Sequence, residues 1–81
     1  MRFNITMNMP ANSGKAVHQI ICDHDSESLA DFIDYINSCD FVLVEEIYLE
    51  KKGDEQIRHV PKGEIALNPL FVGKVKEYIV S

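Results

Sequence analysis

The chain has 81 residues, 46% hydrophobic and 26% charged, with a formal net charge of −5. Such a composition belongs to one small folded domain rather than a disordered chain, and an acidic balance argues against the basic footprint of a general nucleic-acid binder. No apolar run approaches the ~20 residues that cross a bilayer as a helix.

The first segment, residues 2–9 (RFNITMNM), alternates. Phe3, Ile5, Met7 and Met9 fall on one side, and Arg2, Asn4, Thr6 and Asn8 on the other, which is the period of a half-buried strand. Pro10, Asn12, Ser13 and Gly14 supply turn chemistry. Residues 16–24 (AVHQIICDH) return as a second strand, with β-branched Val17, Ile20 and Ile21.

Residues 26–37 form the clearest element. Leu29, Phe32, Ile33 and Ile36 stand at i, i+3, i+4 and i+7, an amphipathic helical stripe. Asp25 or Ser26 is placed to cap its N-terminus, and Asn37-Ser38 to end it. Glu27, Asp31 and Asp34 share the opposite face. This acidic face is either a solvated surface or a contact for a basic protein partner.

Residues 41–50 (FVLVEEIYLE) read as a strand that begins apolar on both faces, so that its start is central in a sheet. Residues 51–56 make a hairpin turn, with Gly53 as the positive-φ residue. Residues 57–60 form a short strand that ends at Pro61, and residues 64–67 form another. A tight turn at Asn68-Pro69 leads to a closing strand over 74–80, with a C-terminal helix as the second choice because Pro69 suits a first helical turn. The expected fold is α+β. A mostly antiparallel sheet of five or six strands carries one helix on one face, in the order β-β-α-β-β-β-(β or α). Its predicted core packs Leu29, Phe32 and Ile36 against Phe3, Ile5, Met7 and the strand around Leu43.

Three segments invite a chemical reading. Gly14-Lys15 resembles the end of a phosphate-binding loop, but Met9 stands at the first glycine position and Ala16 at the hydroxyl position. The glycine turns that loop and the hydroxyl ligates Mg²⁺, so the nucleotide reading fails. His18, Cys22 and His24 share a strand face, with Asp23 and Asp25 beside them. Those donors suit a borderline metal, yet His18 and Cys22 are ~13 Å apart along a strand. Cys22 and His24 also suit a nucleophile and its base, provided the thiol's pKa is depressed. His59 sits between Arg58 and Lys62 in a small basic cluster, more readily explained by solvation than by phosphate binding.

No segment supplies a complete catalytic or metal-binding set, and no cofactor is expected. The sequence therefore favours a small non-enzymatic interaction or regulatory module acting as a homo-oligomer, with Tyr48 or Tyr78 as aromatic anchors. The alternative is a metal- or thiol-dependent activity centred on Cys22 and His24. Two cysteines, Cys22 and Cys39, and no apolar leader within the first twenty residues point to thiols in a reducing cytoplasm.

Overall fold

A computed structural model describes residues 1–10, 17–53 and 56–79, with the side chains of Met9, Pro10, Val17 and Lys52 left out. The first predicted turn, and with it the Ser13-Gly14-Lys15 segment, lies outside the described residues. The elements are β1 (Arg2–Pro10), β2 (Val17–Asp23), α1 (Leu29–Ser38), β3 (Val42–Lys52), β4 (Gln56–Leu67), a single 3₁₀ turn (Pro69–Phe71) and β5 (Val72–Glu77). The five strands form one sheet in the order β4-β3-β2-β1-β5, and every ladder is antiparallel. Among the described residues no helix is long and apolar enough to cross a membrane. The α+β expectation holds.

The alternation in β1 does what its period implies. Phe3, Ile5 and Met7 are buried under α1 together with Ile20, Cys22, Phe32, Ile36, Val42, Val44 and Leu67. The rings of Phe3 and Phe32 stack with centroids 4.1 Å apart and planes 14° from parallel, which fixes the helix over β1. Leu29 is only partly buried at the edge of this core. The strand residue expected here, Leu43, faces the other way and is 47% exposed. Its neighbours Val42 and Val44 take the core positions, because one step along a strand reverses the side.

The helix begins with its apolar stripe, at Leu29, rather than at residue 26. Ser28 is the N-cap, its Oγ accepting from the Asp31 N–H at 3.1 Å, so neither Asp25 nor Ser26 caps it. Ser26 instead donates its N–H to His24 Nδ1.

Residues 57–60 and 64–67, read above as two strands, are one. Between them the register steps from Glu46↔Gly63 to Ile47↔Pro61, leaving Lys62 as the extra residue of a β-bulge. Gly63 takes the positive φ of 104°, and Pro61 is tolerated because β4 lies at the edge of the sheet. At the C-terminal end Pro69 starts a 3₁₀ turn rather than an α-helix, with Asn68 Oδ1 accepting from the Leu70 N–H at 3.0 Å. The β-branched residues that follow then enter β5.

The sheet cannot be flat. Leu67 pairs with Val42 at one end of the strands, and Val72 pairs with Met7 at the other end, on the far edge. Crossing a flat sheet between those corners takes roughly 33 Å, given ~4.8 Å between strands and ~3.4 Å per residue. The five Cα steps from Leu67 to Val72 reach only about 17 Å. Right-handed twist resolves the conflict by bringing diagonal corners together. One diagonal closes on the helix side through residues 68–71. The other closes on the back, where His59 of β4 meets Tyr78, just beyond β5, edge to face at 5.8 Å. This second closure accounts for Ile47, which faces away from α1 yet is buried.

Candidate functional site: the seam between β2 and β3

β2 has seven residues and β3 eleven, yet they pair only at Ile21↔Ile47, Cys22↔Glu46 and Asp23↔Glu45. β3 and β4, by contrast, pair along their whole length. The sheet is thus a β2-β1-β5 body and a β3-β4 ribbon, joined by a short seam. A cleft opens at each end of that seam, with volumes of about 570 and 550 Å³. Both are of the size that small-ligand sites occupy.

The upper cleft is polar. Register places Arg2, Asp23, Glu45 and Glu64 in a row across β1 to β4. Arg2 Nε donates to Asp23 Oδ1 at 2.7 Å and its Nη2 to Oδ2 at 2.9 Å. That bidentate bond, supported by the guanidinium charge, holds the Asp23 carboxyl below the usual carboxylate range against the opposing effect of partial burial. Arg2 is shifted in the matching upward direction. Glu45 and Glu64 then face each other as like charges on neighbouring strands, an arrangement that mildly destabilises the ladder. Among the described residues no three His, Cys, Asp or Glu side chains come together as a metal site.

The lower cleft mixes apolar and polar walls. Ile20 and Ile21 of β2 stand across from Ile47, Tyr48 and Leu49 of β3, with Asn4 and Tyr78 alongside and Lys62 at the rim. The Lys62 ammonium lies 5.0 Å from the centre of the Tyr48 ring, within cation–π range. Asn4 Oδ1 is buried without a hydrogen-bond partner among the described residues.

Cys22 and His24, the pair singled out from the sequence, are both built into the core region. Cys22 has no exposed surface, and burial pushes its thiol up to about 12. A nucleophile or ligand needs the opposite shift. His24 Nδ1 meets the Ser26 N–H at 3.1 Å and lies against the Ser26 hydroxyl. The ring stacks on Tyr35 at 4.3 Å and leans on Phe32 at 5.1 Å. One ring nitrogen is thus taken up by Ser26, and the ring packs against α1. His18 is exposed. Glu27 is exposed just ahead of α1, and Asp31 and Asp34 are exposed on it. Of the two tyrosines expected as anchors, Tyr78 is engaged by His59, whereas Tyr48 is 52% exposed.

The sequence reading missed the Arg2–Asp23 pair, the His59–Tyr78 closure and the seam itself. The first had a signal, because a hairpin between the first two strands brings opposite charges near its open end together. The other two depend on where ladders stop and had none. Comparison with protein-family models, with curated proteins and with solved structures finds no match for this chain.

Proposed function

We propose that the protein is a small non-enzymatic interaction module that self-associates, as a homodimer, through the β3-β4 ribbon. The observation that carries this reading is the part of the ribbon beyond Ile47. There the ribbon leaves β2, with Tyr48 52% exposed on one face and Ile57 58% exposed on the other. A two-stranded ribbon with apolar side chains and no third strand is marginal in water on its own. A second copy across a two-fold axis is the simplest cover, since such an interface needs only one self-complementary patch. Tyr48 is the anchor of this interface, because it is the more exposed of the two and Tyr78 is packed by His59. The exposed Glu27, Asp31 and Asp34 face offers a second contact, for a basic protein surface. Two unpaired cysteines support a reducing, cytoplasmic setting. The burial of Cys22 and the packing of His24 favour this reading over the metal- or thiol-dependent alternative.

Light scattering over a dilution series tests the proposal. A dimer mass that falls to the monomer in Tyr48→Glu is expected, and a monomer mass at every concentration of the wild type would remove it.

A further inference from the structure

We propose that the lower cleft at the β2/β3 seam receives an extended polypeptide segment from another protein, an uncharged strand with apolar side chains. Three observations combine. First, the walls are strands whose facing edges carry no ladder. Continuing the register from Ile21↔Ile47 would pair Ile20 with Tyr48 and Gln19 with Leu49, but these residues do not pair across the seam. All four are within strands and line the cleft. Backbone N–H and C=O groups on such edges are the template for strand addition, which satisfies both walls at once.

Second, the charges are matched to a neutral occupant. Glu46 and Lys62 are the one carboxylate and the one ammonium among the lining residues, so the cleft carries no net charge within a chain of net −5. A cation would be held better at the acidic row above, and an anion meets no net positive charge here. Third, the walls alternate in the way a strand's side chains require. Ile21 and Ile47 form an apolar floor on the back face, and Tyr48 stands on the other face with its ring at the rim. Asn4, with its buried and unpartnered Oδ1, adds an amide that can turn toward a backbone donor.

The test is an amide NMR titration at a protein concentration where light scattering gives one species. The probe is a seven-residue acetylated and amidated peptide of alternating threonine and valine. Saturable shifts confined to residues 19–21 and 47–49 are expected. They should be lost with the peptide N-methylated at alternate residues, which removes the donors of one edge. Tyr48→Ala, at an exposed position, should weaken binding by roughly fivefold without unfolding the protein. Three results would each overturn the proposal. These are no shift at millimolar peptide, equal binding of the N-methylated peptide, and shifts along the outer edges of β4 or β5 instead. Dimerisation through the ribbon moves residues of β3 and β4 alone; if raising the protein concentration also moves residues 19–21 of β2, the occupant is a second copy and the proposal fails.

Discussion

Replacing Phe32 by alanine removes the side chain on which the helix sits. Its ring is fully buried, stacked on Phe3 at 4.1 Å and flanked by His24 at 5.1 Å. Truncating a buried phenylalanine costs about 3–5 kcal/mol through lost transfer energy and the cavity left behind, and an aromatic pair adds about 0.5–1.5 kcal/mol to what area burial supplies. A domain of 81 residues has roughly 4–12 kcal/mol of stability in total, at ~0.05–0.15 kcal/mol per residue. The substitution therefore removes at least about a quarter of that stability. With a urea slope near 1–1.5 kcal/mol per molar for a chain this small, the midpoint followed by circular dichroism should fall by roughly 3 M. Phe32→Leu, which keeps most of the apolar volume, should lose about 1–1.5 kcal/mol. Leu43→Ala, at the position the sequence placed in the core, should stay within about 0.5 kcal/mol because Leu43 faces solvent. A Phe32→Ala midpoint within 0.5 M of wild type (an arbitrary margin of about half a kcal/mol by the same slope) would refute the placement of the helix on β1.

Native-state labelling with a thiol reagent should modify Cys39, which is partly exposed, well before Cys22, whose reaction should follow the unfolding rate. Gly63→Ala should cost about 1 kcal/mol in the same urea assay, because a Cβ there meets nothing within 4 Å and only the φ of 104° is strained. The Arg2–Asp23 pair should stabilise the fold by about 0.5–1 kcal/mol at neutral pH, a modest figure because the side chains are 28% and 38% exposed. Asp23 has a lower pKa folded than unfolded, so that contribution is complete above the unfolded value of ~3.9 and disappears as pH falls through the folded one. The stability difference between wild type and Asp23→Asn, measured from pH 7 downward, should shrink to nothing at the acid end.

What could be read from the sequence follows from how local each signal is. Phe3, Ile5 and Met7 announce β1 because period two is visible within one segment, and Phe32 with Ile36 announces α1 in the same way. A strand over 41–50 is equally plain in the sequence, but its facing is not. Phe41, Val42, Leu43 and Val44 are all apolar, so nothing in the run says which pair faces the helix, and the ladder to Leu67 and Ile65 decides it. Pro61, Lys62 and Gly63 look like a break between strands. Only the neighbour β3 turns that break into a bulge, by holding register on both sides of it.

The site was less legible than the fold, and for a physical reason. A motif such as Cys22-x-His24 is recorded within three residues, whereas the seam exists because two strands from different halves of the chain part company after Ile47. No residue type marks that point. Its cause lies in the coiling of the whole sheet. The short path from Leu67 to Val72 draws one diagonal together on the helix side, and the twist that permits this also carries the ribbon toward Tyr78 on the back. A ribbon committed to pairing with Tyr78 through His59 is turned off the line of β2, and its ladder with β2 ends. On this account the lower cleft is a consequence of the β4-to-β5 connection. Lengthening residues 68–71 by three or four glycines should relax the coil, let β2 and β3 pair further, and protect the amides of Ile20 and Tyr48 from hydrogen exchange. Unchanged exchange at those two amides in a folded variant would show that the seam is set by its own side chains instead.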